Sequence, residues 1–196
     1  MDYSPLFNEI VEHHIRIEGG WVNDPLDPGK ETYKGIARAY NPNWSGWQII
    51  DADKNRVDFP VCLKDNAPLH EAVKEHYYSY YWKPMNLDSI EQRAIVTELF
   101  DIGAGPNGIH AAGMIAQGAL VLLNRDVKLD GKIGPITASA LEMYIYPDDL
   151  VKMMNMLQFV HLLIGSSNVA DTVDMIRGRL PQLKRFMRGW LKRIAI

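Results

Sequence analysis

Glu18 is the residue in this chain best placed to move a proton. It closes an amphipathic stretch, and Gly19 and Gly20 follow at once. Phe7, Ile10, Val11, His14, Ile15 and Glu18 recur at spacings of three and four, so they share one helical face. The carboxylate therefore extends an apolar stripe rather than a wet one. A carboxylic acid kept from water holds its proton and can donate it to a leaving oxygen. Asp24, Asp27 and Thr32 follow at six, nine and fourteen positions after Glu18. Glycosidic bond cleavage requires an acid and a second group that activates water or steadies positive charge on the sugar. A polar loop folding back on a helix end can supply both. Taken singly, Asp24 and Asp27 read better as turn caps, because each precedes a proline. The ordered series of four carries more than any one member.

The elements that must hold these groups are mostly helical. Ser4-Pro5 is suited to start a helix over 5–18, and the glycine pair to end it. Residues 21–45 carry turn chemistry in Asn23-Asp24-Pro25, Asp27-Pro28-Gly29 and Asn41-Pro42-Asn43. A short strand or half-hairpin fits within 31–37. Helical patterns then cover 69–81, 89–103, 108–123, 135–145 and about 148–165, with a last pair near 169–178 and 180–194. The expected fold is mainly α, with a small irregular β element after the first helix. A front part, 1–90, and a helical rear part, 91–196, are expected to pack as one compact body, since no flexible spacer separates them.

Composition narrows the function. Apolar residues make up 47% of 196, enough for a real core. No apolar run is long enough to span a bilayer. The start, MDYSPLFNEIVEHH, lacks the basic and apolar regions of a secretory signal, so work outside the cytoplasm would need separate release or export. The single cysteine, Cys62, excludes an intrachain disulfide and a cysteine-built zinc site. His13 and His14 are adjacent, and His70 and His76 lie six apart, so neither pair clamps a metal from one helix face. The Asp126–Asp130 stretch has lysine at one calcium-ligand position and Thr137 where a glutamate is required. No metal or cofactor is expected. Net charge is −3, but residues 177–196 hold seven basic residues and no acid. The rest carries 14 basic against 24 acidic residues, or −10. An acidic body with a basic tail does not read as a nucleic-acid binder. The tail helix is expected to dock on the body. Its basic face offers weak attraction to an anionic envelope.

Trp21, Tyr33, Tyr40, Trp44 and Trp47 crowd the segment after Glu18. Sugar rings stack their apolar faces on aromatic ones, so some of these can line saccharide subsites, and core filling is the equal rival. The segment EGGWVNDPLDPGKETYKGI resembles the signature of glycoside hydrolase family 108, whose members are phage and prophage lysozymes, also described as secretion-activating proteins. Glu18, Gly19, Gly20, Asn23, Asp24, Pro25, Asp27, Gly29, Thr32, Gly35 and Ile36 match that signature. Trp21 stands in place of its tyrosine, and Lys30 in place of its second glycine. NRDVKLDGKIGPITASALE is similar to the family's C-terminal peptidoglycan-binding segment through Asp130, Gly131, Ile133, Gly134, Pro135 and Thr137. FMRGWLKRI fits the family's usual end. Ile102-Gly103-Ala104-Gly105 departs from its usual middle.

The resemblance implies a lysozyme-like domain and an N-acetylmuramidase that acts on peptidoglycan glycan strands. It makes Glu18 the catalytic acid, with Asp27, Asp24 and Thr32 in support. Trp21, Asn23, Tyr33 and Trp44 become substrate-binding candidates. A non-catalytic peptidoglycan-binding or secretion-assisting module, and a lytic transglycosylase, are the alternatives.

Overall fold

The computed structural model describes residues 2–164, 170–171 and 173–175. The architecture is mainly α with one small sheet. Helix α1 (Pro5–Ile17) is followed by strands β1 (Trp21–Asn23), β2 (Glu31–Tyr33) and β3 (Ile36–Ala37). Helices α2 (Gly46–Asp53), α3 (Ala67–Tyr77), α4 (Arg93–Ala104), α5 (Gly108–Leu122), α6 (Pro135–Glu142) and α7 (Pro147–Ile164) complete the described elements, with short 3-10 turns at Val61–Asp65 and Leu87–Ser89. A π-helical turn, Tyr78–Trp82, continues α3. The basic tail helix and its envelope-facing side lie outside the described residues.

The chain divides into two compact units, 1–80 and 81–196. In the first, α1 starts as its sequence dictates. Ser4 Oγ accepts from the Phe7 N–H at 3.2 Å, and Pro5 occupies a first-turn position where its missing N–H costs nothing. Phe7, Ile10, Val11 and Ile15 are buried on one side. The polar edge of α1 is clasped to α3. Lys74 Nζ donates to Asn8 Oδ1 at 2.6 Å, His70 Nε2 lies 2.8 Å from Glu12 Oε1, and Tyr3 Oη donates to Glu75 at 2.9 Å.

The sheet is antiparallel in the order β1-β2-β3, pairing Trp21 with Tyr33 and Asn23 with Glu31. Strand β1 falls within a stretch whose Asn, Asp and Pro content reads as turn. Helix α2 was likewise unanticipated, because prolines and asparagines flank it closely. Trp47 and Ile50 are its buried side chains.

In the second unit α4, α5 and α7 pack on one another. Helix α5 is apolar nearly all round and buried from Ala112 to Leu122, as expected of a central helix. Gln117 is the polar exception. Its Oε1 accepts from the N–H groups of Asp130 and Gly131 at 2.9 and 2.8 Å. Its Nε2 donates to Asp130 Oδ1 at 2.9 Å and to the Lys132 carbonyl at 3.0 Å. One buried amide thus shapes the loop before α6. Gln92 does the same elsewhere, donating to the carbonyls of Leu141, Glu142 and Tyr144.

His76 is 4% exposed and ringed by Trp44, Tyr77 and Tyr80. Burial lowers its pKa from 6.5 to about 4. The unfolded chain therefore binds the proton first. Stability is full above pH 6.5 and falls as pH drops toward 4, by up to about 3 kcal/mol. Thermal melts across this window should show that loss. His76→Phe should flatten it.

Candidate functional site

Helix α1 delivers Glu18 one residue after its last turn. Glu18 is the C-cap, with extended backbone (φ −66°, ψ 144°), and its N–H donates to the His14 carbonyl. This changes the exposure expected from periodicity. The buried stripe projects 100° per residue only while the helix lasts, and it ends at Ile17. The Glu18 side chain is consequently half-buried, 36% exposed, rather than sealed in the core.

What backs the carboxylate is the β2–β3 turn. Lys34 and Gly35 form a two-residue hairpin loop, both with positive φ (48° and 75°), the combination a type I′ turn requires. Lys34 Nζ donates to the carbonyls of Ile15 at 2.9 Å and Glu18 at 3.3 Å, so a cation caps the C-terminus of α1. The Lys34 N–H donates to the Gly19 carbonyl at 3.2 Å. Tyr77 Oη donates to the Lys34 carbonyl at 2.8 Å. A Cβ on Gly35 would stand 2.6 Å from Tyr77 Oη and 3.1 Å from Glu18 Oε2. Only glycine leaves room for both oxygens. His14 completes the surround, its Nε2 3.7 Å from Glu18 Oε1 and its ring 4.9 Å from that of Tyr77.

Asp24, Asp27 and Thr32 belong to the β1–β2 hairpin. Asp24 Oδ1 accepts from the Leu26 N–H at 2.9 Å, and Asp27 Oδ1 from the Gly29 N–H at 2.7 Å. Both do the turn-capping work that their neighbours in sequence favour. Asp27 and Thr32 also come together. Asp27 Oδ1 and Thr32 Oγ1 lie 3.2 and 3.5 Å from one point, the position of a Cβ on Gly29. Glu18 sits at the opposite end of this hairpin, beside Gly35. Strand β1 alone adds about 7 Å between the two ends.

The aromatic candidates separate. Tyr33 is 6% exposed and its hydroxyl donates to the Leu63 carbonyl at 3.2 Å, so it fills the core instead of offering a face to sugar. Trp44 is half-buried, with its indole N–H on the Ala72 carbonyl at 3.1 Å. Trp21 is half-buried and meets Phe59 edge-on at 4.7 Å. Asn23 is exposed at the end of β1.

One acid escaped sequence reasoning. Glu31 is 7% exposed. It accepts from Trp21 Nε1 at 2.7 Å and lies 2.9 Å from both Arg38 Nε and Lys54 Nζ. The Arg38 contact is one of charge, since its angle is not that of a hydrogen bond. Arg38 also forks onto Asp51 at 3.1 and 2.8 Å. Arg38 and Lys54 hold Asp51 below the usual carboxylate range. Burial opposes the charge on Lys54, but Asp51 and Glu31 outweigh it and keep that ammonium above the ordinary lysine value. This network anchors Trp21 and ties β2 to α2. The signal for it was strand alternation, which puts Glu31 on the buried face with Tyr33.

The family model described as Glycosyl hydrolase 108 matches residues 11–105, and the Predicted Peptidoglycan domain matches residues 111–195. The solved structure of SagA from Brucella abortus is similar over 95% of this chain and 88% of that one, with 21% identity and a TM-score of 0.50, a likeness of fold. No curated protein matches the chain.

Gly35→Ala tests the backing of Glu18. The positive φ alone should cost about 1–2 kcal/mol in urea unfolding. The displaced carboxylate should reduce peptidoglycan cleavage beyond what that lost stability explains.

Proposed function

We propose that this chain, whose residues 11–105 belong to the glycosyl hydrolase 108 family, hydrolyses the β-1,4 bond between N-acetylmuramic acid and N-acetylglucosamine in peptidoglycan. The observation that carries this reading is the setting of Glu18. It is a carboxyl on a helix end, half open to solvent and backed on its inner side by Gly35, His14 and Tyr77.

In this reading Glu18 gives its proton to the glycosidic oxygen as the bond to the sugar carbon breaks. Positive charge gathers on that sugar in an oxocarbenium-like transition state. Water attacks it from the far side. The patch where Asp27 and Thr32 meet orients that water, and Asp27 takes its proton, with Asp24 shaping the same loop. Asp27 stands at the far end of the hairpin from Glu18, whereas a covalent intermediate calls for a second carboxyl about 5–5.5 Å from the acid, so this reading carries inversion as the outcome. The half-buried rings of Trp21 and Trp44 are the aromatic surfaces offered for saccharide contact. Tyr33 backs Trp44, its ring stacked 6.5 Å from that of the indole. The protein meets its substrate after release from the cell interior, as a wall-lytic enzyme.

Digestion of purified peptidoglycan, followed by mass spectrometry, tests the proposal. Wild type should release muropeptides with reducing muramic ends. Anhydro ends would mean transglycosylation, with no water consumed. Glu18→Gln should lower release by about a thousandfold, because it removes the acid while keeping shape. Equal release from wild type and Glu18→Gln would take Glu18 out of the mechanism. Asp27→Asn and Thr32→Ala should each lower turnover by smaller factors.

A further inference from the structure

The loop that Gln117 shapes borders two hollows in the second unit. One, of about 510 Å³, is lined by Asp126, Val127, Lys128, Lys132, Pro135 and Ile136 among others. The other, of about 390 Å³, is lined by Pro84, Met85, Ile109, His110, Lys132 and Ile133 among others. Lys132 and Gly134 line both, so the two hollows flank a single ridge. We infer that this paired hollow is a binding site for the peptide stem of peptidoglycan, with Lys132 as the contact for a stem carboxylate. The inference rests on the peptidoglycan reading above and names what the second unit grips.

Three observations carry it. The first is charge. Lys132 is exposed, and among the described residues its ammonium has no hydrogen bond or ion pair. Lys128, by contrast, lies 3.5 Å from Asp130. The Asp130 carboxylate is itself occupied by Gln117 and the Lys132 N–H. The open charges are therefore one cation on the ridge and Asp126 on the wall of the larger hollow. A stem peptide carries the complement, with free carboxylates along a short chain and an ammonium on its diamino acid.

The second is the character of the walls. Among the described residues no tryptophan, tyrosine or phenylalanine lines either hollow, so the described walls offer no flat aromatic face of the kind sugar recognition leans on. The apolar wall is aliphatic. Ile136 is 77% exposed beside Pro135, a surface suited to alanine methyls.

The third is preorganisation. Gly131 has φ +70°, and a Cβ there would fall 2.3 Å from the His110 ring. A Cβ on Gly113 would fall 2.2 Å from the Gly131 carbonyl oxygen. Glycine at both positions lets the loop seat directly on α5, where Gln117 holds it. Little ordering is then left for the moment of binding.

Calorimetric titration of the full chain with synthetic stem pentapeptide, in its lysine and its diaminopimelate forms, tests the site. The probe has no glycosidic bond, so its binding is read independently of cleavage by Glu18. At least one form should bind wild type, more weakly as salt rises. Lys132→Ala should weaken it at least roughly tenfold, and Lys132→Arg should keep most of it. Ile136→Glu should also weaken it. Both side chains are exposed, so thermal melts should match wild type. Failure of both peptide forms to bind would overturn the inference. So would equal binding by Lys132→Ala, or competition by a peptide-free tetrasaccharide. None of those results would touch the muropeptide release that tests Glu18.

Discussion

The first unit depends on how the end of one helix is closed. Helix α1 stops with carbonyls facing outward, and such groups must find donors. Lys34 supplies one, reaching the Ile15 and Glu18 carbonyls from the β2–β3 turn. That contact is possible because Lys34 and Gly35 both adopt left-handed backbone, which brings the turn back against the helix. The same turn presents the flat side of Gly35 to the Glu18 carboxylate and its Lys34 carbonyl to Tyr77. Helix closure, hairpin geometry and placement of the acid are thus one structural event. The ammonium of Lys34 also puts positive charge where the helix dipole is negative. Clasps between α1 and α3 hold the other end of the lever, through Asn8, Glu12 and Tyr3.

The second unit solves a related problem with an uncharged group. A buried amide in an apolar helix must satisfy two donors and an acceptor or pay a desolvation cost. Gln117 meets that need from the Asp130–Lys132 loop and, at 3.3 Å, from Thr137 Oγ1 at the start of α6. The loop has no regular structure to fix it, so the amide becomes its template. The motif shared with the peptidoglycan-binding segment is therefore explained largely by architecture. Gly131 and Asp130 serve the loop's shape, and Pro135 starts α6. The residues left over for a ligand are those the motif does not constrain, such as Lys132 and Ile136.

Legibility in the sequence followed the range of the interactions. Glu18, Asp24, Asp27 and Thr32 stood out because a helix stop, Asx turns and a strand are local events. Helices α3 to α7 were visible through periodicity, and α2 was not, because eight residues between turn-formers leave little period to read. Glu18 is only partly shielded because it stands one residue past the end of the helix whose apolar stripe it extends. Glu31 was hidden because its partners, Arg38 and Lys54, come from separate elements and no local pattern joins them. Tyr33 was ambiguous until register placed it with Glu31 on the inward face. Gln117 was legible in principle, as an amide set in AAGMIAQGALVLL, where burial obliges it to find partners.

If the first unit cleaves glycan and the second grips the stem peptide, as proposed, their chemistry divides along the two components of peptidoglycan. In the first, Trp21 and Trp44 are half-buried, so part of each ring remains open. Such surfaces suit a sugar, which is apolar on its faces and polar at its rim. In the second, the hollows carry aliphatic walls, an unmatched ammonium and a carboxylate. Those suit a short charged peptide, which has no flat face to stack. An enzyme that held the glycan at both places would compete with itself for one strand. The polar networks of Glu31 and Gln117 serve this division equally, because each fixes a loop whose shape decides what it can bind.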